Sequence, residues 1–199
     1  MTGWAAVVLA GGSARRMGGV DKTGLAVGGR SMRERVLDAV ADADVRVLVG
    51  PDGPVPPGVR LTREEPPGGG PVAAAAAGLS LLPAGTTTVA LLAADLPLLT
   101  REAVGVLRGR LADPTVDGAC LVDREGRRQQ LCGVWRLGPL RAALDRLAAA
   151  RGGTLDGASV RSLLAGLAVR EVPWSGPGPP PWFDCDTDED VRRAEEWAR

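Results

Sequence analysis

The chain predicts an α/β fold: a mostly parallel mixed sheet between helical layers, α/β/α, in three layers. Two observations carry this. Short apolar runs at residues 5–9, 45–49, 89–94 and 119–122 are each bounded by turn residues or helical stretches, and that alternation is how a parallel sheet is covered on both faces. The segments between them carry helix-start signals where the alternation needs helices.

In chain order, the apolar run at 5–9 opens the sheet and leads into a glycine-rich turn. Ser31 and Glu34 form a capping box ahead of Met32, Val36, Leu37 and Val40 at helical spacing. After the run at 45–49, Pro71 suits the first turn of an alanine-rich helix with Leu79 and Leu82 on one face. Beyond the run at 89–94, Thr100 caps a helix bearing Val104, Leu107 and Leu111. Residues 128–137 form a further strand, antiparallel at part of the sheet, and Pro139 opens a helix with Leu140, Leu144 and Leu147 inward. The proline-rich stretch 173–181 can neither pair as a strand nor form a helix, so it is a loop. Thr187 with Asp190 opens a last helix that ends at Trp197.

Composition bounds the chemistry. At 199 residues, 45% of them hydrophobic, the chain can build one substantial core, and a single catalytic domain over 1–199 is expected. Lys plus Arg and Asp plus Glu both number 24, so no net field recruits nucleic acid or a membrane surface, and phosphate binding must come from local placement. The absence of histidine excludes Ser-His-Asp and Cys-His nucleophiles and histidine-ligated zinc. Carboxylates, lysine, arginine and an oxygen-loving metal are left. Cys120, Cys132 and Cys185 are odd in number and lack Cys-x-x-Cys spacing, which favours reduced core residues over disulfides or zinc. With no basic leader before a long apolar stretch, and the run at 89–94 too short for a bilayer, a cytoplasmic protein is expected.

Residues 9–22 read Leu-Ala-Gly-Gly-Ser-Ala-Arg-Arg-Met-Gly-Gly-Val-Asp-Lys. Ala10, Gly11 and Gly12 let the backbone turn sharply and leave amides open to a phosphate chain. Arg15, Arg16 and Lys22 add more positive charge than a plain connection requires. Lys22, in a loop given over to anions, is most simply a phosphate ligand whose charge stabilises the α-phosphoryl group and departing pyrophosphate. The Walker pattern fails because Asp21 precedes Lys22-Thr23, and residues 68–73 fit a dinucleotide fingerprint only loosely.

This string resembles the nucleotide-binding signature of the nucleotidyltransferase superfamily, and its form is similar to that of the molybdenum cofactor guanylyltransferases. The resemblance implies a Rossmann-like nucleotidyltransferase fold and Mg2+-dependent transfer of GMP from GTP to molybdenum-molybdopterin, releasing pyrophosphate. Molybdoenzymes or cofactor-delivery proteins would receive the product. It also implies that Leu9, Ala10, Gly11, Gly12 and Lys22 bind the nucleotide, with Arg16 completing the catalytic clamp. No general base is required, because the attacking phosphate is already an anion, and this agrees with a chain that has no histidine.

Other stretches extend the match. Asp95, followed by Leu96-Pro97, lies at the carboxyl edge of a buried strand, where α/β sheets bind ligands; an aspartate capping the next turn would look the same. In the resembling enzymes an Asp-x-Pro aspartate holds magnesium, which implies a catalytic and metal role for Asp95. Asp184 and Asp186 share a side if the backbone is extended, although a helix dipole also accounts for acids ahead of a helix. The family's terminal Asp-x-Asp-Thr pattern implies that Asp186 supports the metal, with Asp188 standing where proline is usual. A carboxylate can accept from guanine N1–H and the exocyclic amine together. Glu65 stands where the guanylyltransferases place such an acid, but Pro71-Val72-Ala73-Ala74 departs from their pattern, so Glu64 and Glu65 both remain candidates. Gly50 lines the same pocket by analogy. Trp135, Trp174 and Trp182 could stack a pterin, or simply fill core or interface. The alternatives are cytidylyl transfer to molybdopterin, whose enzymes more often read Leu-Ala-Ala-Gly, transfer to a sugar phosphate, and a catalytically inactive nucleotide-binding partner protein.

Overall fold

A computed structural model describes residues 3–11 and 22–198. Seven strands form one sheet in the order β5-β4-β1-β6-β8-β7-β9: β1 (Gly3–Leu9), β4 (Val45–Val49), β5 (Val59–Thr62), β6 (Thr86–Ala93), β7 (Gly118–Val122), β8 (Arg128–Arg136) and β9 (Val169–Pro173). All neighbours are parallel except β8, which is antiparallel to both β6 and β7. The mixed, mostly parallel sheet is therefore the one the sequence predicts. A separate two-stranded hairpin joins β2 (Ala26–Val27) to β3 (Arg30–Ser31). Its two-residue turn, Gly28-Gly29, has φ of 61° and 75°, the left-handed pair that a tight hairpin demands and glycine supplies freely.

Period-two alternation sends side chains to two cores. Ala6 and Val8 of β1 meet α1 (Met32–Ala39) and α3 (Arg101–Arg110) through Val36, Leu37, Val104 and Leu107. Ala5, Val7 and Leu9 meet α2 (Pro71–Ser80), α4 (Leu137–Ala150) and α5 (Val160–Leu164) on the other face. A third, small core of Val27, Met32, Cys185 and Ala194 joins the hairpin to α6 (Asp188–Trp197). Among the described residues, no helix is long and apolar enough to cross a membrane.

The helix signals behave as their chemistry requires. Ser31–Glu34 and Thr187–Asp190 form reciprocal capping boxes, Thr100 accepts from the Ala103 amide, and Pro71 occupies the first turn of α2. Three expectations shift. The helix at Pro139 begins at Leu137, because buried Leu137 is drawn into the core and proline costs no hydrogen bond within a first turn. Leu82 lies beyond the cap of α2 but stays buried. Pro173 closes β9 instead of opening the loop, since an edge strand tolerates a missing N–H. Cys120 and Cys132 are buried free thiols, and Cys185 is buried as well.

Candidate active site

The carboxyl ends of β1, β4 and β6 meet at one edge. The Ala10 amide donates to the Val49 carbonyl at 2.7 Å, the Ala94 amide to Leu9 at 2.9 Å, and the Gly50 amide to Thr62 at 2.9 Å. These bonds continue the ladder one residue past each strand and pin Ala10, Gly50 and Ala94-Asp95 side by side. A Cβ on Gly50 would lie 3.0 Å from the Ala10 Cβ, so glycine is what lets the β1 loop come this close. At exposed Gly11, among the described residues, a Cβ would meet nothing within 4 Å. Gly12, Arg15, Arg16 and the Lys22 side chain lie outside the described residues; the Lys22 backbone starts a short 3-10 turn, Lys22–Gly24, that leads into β2.

Half-buried Asp95 follows β6 in a turn whose next residues, Leu96 to Leu99, are all buried. Its carbonyl accepts the Cys185 amide at 3.1 Å. That bond fastens the Asp184-Cys185-Asp186 segment, nearly ninety residues distant in sequence, against the Asp95 turn, with Cys185 buried and both flanking aspartates exposed. The Asp190 carboxylate in turn accepts from the amides of Asp186 at 3.1 Å and Thr187 at 2.8 Å. The Cys185 bond thus brings the terminal acid pair to the same edge as Asp95. Among the described residues, no group of three or more acidic or cysteine side chains is placed to hold a metal ion. Magnesium at a nucleotide site takes one or two carboxylates and completes its shell with phosphate and water, so the donor set fits a shared ion and not a protein-only cage.

The two candidate base-binding acids differ. Glu64 is 9% exposed and accepts the Gly68 amide at 2.9 Å, which ties it to its own glycine-rich loop. Glu65 is exposed. That loop runs from β5 into the start of α2, which has no side-chain cap, so its first amides and the helix dipole favour negative charge. Residues after α4, unmarked in the sequence, buttress it: the Gly157 amide donates to Gly69 at 2.8 Å, and a Cβ on Gly69 would sit 2.6 Å from an Asp156 carboxylate oxygen.

Trp135 is not a stacking platform. It is fully buried, and its ring lies over Gly118 and Gly133, where any Cβ would collide with it. Trp174 and Trp182 are partly buried against the α1/α3 core. Arg35, which sequence reasoning passed over, donates from Nε to the Pro97 carbonyl at 2.7 Å and from Nη1 to Val27 at 3.2 Å. A basic residue on an amphipathic helix carries no sequence signal that separates such a tie from a solvated charge.

The chain is similar in fold to several solved structures. It superposes on molybdopterin-guanine dinucleotide biosynthesis protein A from Archaeoglobus fulgidus with a TM-score of 0.67 at 21% identity, covering 96% of this chain and 97% of that one. For 2-C-methyl-D-erythritol 4-phosphate cytidylyltransferase from Thermus thermophilus the TM-score is 0.70 at 22% identity, over 96% and 97% of the two chains. For the Francisella tularensis enzyme of that name it is 0.75 at 13% identity, with both chains fully covered. No curated protein sequence matches the chain. The MobA-like NTP transferase domain model matches residues 6–171, and the chain belongs to that family.

Proposed function

We propose that the chain, as one catalytic domain over residues 1–199, transfers GMP from GTP to molybdenum-molybdopterin. A terminal phosphate oxygen of the pterin attacks the α-phosphorus, the bond from that phosphorus to the bridging oxygen breaks, and pyrophosphate leaves. The observation that carries this reading is the meeting of Ala10-Gly11, Gly50 and Asp95 at one sheet edge, with the 184–186 acids fastened there by the Cys185 amide.

The backbone from Leu9 through Gly12 cradles the triphosphate, and among the described residues nothing would crowd a Cβ at Gly11, which supports close approach of its amide. Lys22 and Arg16 neutralise charge as it builds on the α-phosphoryl and the leaving group. Bound magnesium would supply charge neutralisation across the phosphates, held by Asp95 with Asp186 in support. Glu65, solvent-facing while Glu64 is occupied by the Gly68 amide, accepts from the guanine edge, and Gly50 lines the nucleotide pocket where it lets the β1 loop approach. Neither proton transfer nor a covalent intermediate is needed, consistent with the absence of histidine.

A thermal-shift series with GTP, CTP, ATP and UTP, each with and without magnesium, tests the assignment. Selective, magnesium-dependent stabilisation by GTP is expected. Selective stabilisation by CTP would transfer the proposal to cytidylyl transfer, and a response to no nucleotide would contradict nucleotide binding altogether.

A further inference from the structure

Two stretches of chain reach the active edge from outside the sheet. Residues 22–31 lead from Lys22 through the β2–β3 hairpin, and residues 183–198 carry Asp184, Asp186 and α6. They share the small core of Val27, Met32, Cys185 and Ala194, and the Gly28 amide donates to Glu195 at 3.0 Å. Together they form a cover packed on itself. Its position over the edge depends on its ties to the Asp95 turn, one of which is the bond from the Cys185 amide to the Asp95 carbonyl.

Arg35 supplies another. From α1 its guanidinium donates to Pro97 at the end of Asp95-Leu96-Pro97 and to Val27 in the strand that follows the Lys22 turn. The planar fork sets two donors at a fixed separation, so a single side chain spaces two carbonyls on different segments. Gly28 leaves room for it: a Cβ there would lie 3.0 Å from Arg35 Nη1, at a φ of +61°. Arg35 is half-buried, which lessens the competition from water that weakens exposed charges.

We propose that Arg35 is a positioning residue for nucleotidyl transfer, setting the spacing between the segment that begins at Lys22 and the turn that carries Asp95. The role rests on the proposed assignment of Lys22 and Asp95 to one reaction. Arg35 acts through them, since its Nε and Nη1 donate to backbone carbonyls on the two segments. A displacement of about 1 Å between groups that must clamp one triphosphate costs rate on the order of a hundredfold.

The test compares wild type, Arg35→Met and Arg35→Lys in GTP-magnesium thermal-shift titrations and in pyrophosphate release with molybdenum-molybdopterin. In Arg35→Met the half-saturating GTP concentration is expected to rise at least about tenfold, and kcat to fall by a similar factor, for two lost charge-assisted bonds. Arg35→Lys is expected to recover part of both, because one ammonium satisfies one carbonyl but cannot span two. A lowered melting temperature in Arg35→Met with half-saturation and kcat at wild-type values would overturn the proposal and leave a purely structural tie. Should Arg35→Met not fold, Gly28→Ala displaces Nη1 from the opposite side; the same rise in half-saturation is expected, and a wild-type value overturns the role. If wild type itself responds to no nucleotide, the assignment of the site fails and the role of Arg35 falls with it. A wild-type response matched by the variants removes Arg35 alone.

Discussion

Ala10, Gly50 and Ala94, the residue before Asp95, are held by bonds that extend the ladders of a seven-stranded sheet, whereas residues 22–31 and 183–198 reach the same edge on a separate core in which Val27, Cys185 and Ala194 meet Met32 of α1. The first region is a floor whose geometry is the geometry of the whole fold. The second is a cover whose ties include the Cys185 amide, the Met32 amide on the Leu25 carbonyl, the Arg35 fork and the Gly28–Glu195 bond. The proposed nucleotidyl transfer draws on both, the floor for the triphosphate and the cover for Lys22 and Asp186. Few buried apolar contacts also place the cover at the low end of local stability, so damage to each region should read out differently.

The largest effect is expected from breaking the sheet beneath the floor. Trp135→Ala removes the largest fully buried side chain and should cost about 3–5 kcal/mol, measured by urea denaturation. Next is Gly78→Ala on α2, whose Cβ would lie 2.5 Å from Val7 Cγ1 and 2.8 Å from Val49 Cγ2; a loss of about 1–3 kcal/mol is expected from overpacking. Both should lower global stability, and hydrogen exchange should quicken throughout β1, β4 and β6. Thr187→Ala acts on the cover alone. It removes the hydroxyl that accepts the Asp190 amide at the start of α6 and donates to the Asp190 carboxylate, with an expected cost of about 1 kcal/mol and faster exchange confined to residues 183–198. A global loss in this variant would erase the distinction between floor and cover.

Gly50→Ala should affect ligand binding more than stability. Its Cβ would press on Ala10 at 3.0 Å, shifting the amides of the β1 loop and raising the half-saturating GTP concentration. The smallest effect concerns the thiols. Burial pushes Cys120 up to about 11 and Cys132 up to about 12. At roughly pH 8 both are neutral and shielded, so a thiol reagent should leave them unlabelled in the native protein and label them fully in urea.

Much of the floor is legible in the sequence because its causes are local. Consecutive apolar residues bounded by glycine or an Asp-Leu-Pro turn specify buried parallel strands and where they stop, and the serine and threonine caps locate three helices. β5 and β9 are harder to see. They are short edge strands, Val-Arg-Leu-Thr and Val-Arg-Glu-Val-Pro, whose polar residues face solvent and blur the pattern of a buried strand. The cover is legible only in fragments. The acid pair and its capping box stand out, but nothing local says that the Cys185 amide finds Asp95, or that Arg35 spans Val27 and Pro97, since those partners are set by tertiary packing. Trp135 illustrates the same limit: its type suggests a stacking surface, and two facing glycines on neighbouring strand positions turn it into core.

Metal-assisted nucleotidyl transfer through Asp95 at this edge is checked by pyrophosphate release from GTP with molybdenum-molybdopterin and magnesium, wild type against Asp95→Ala. Wild type should turn over, and Asp95→Ala should lose at least about a hundredfold of that rate, the order expected for a group stabilising charge at the reacting phosphates, with its melting temperature preserved. Undiminished release by a folded Asp95→Ala would contradict the account.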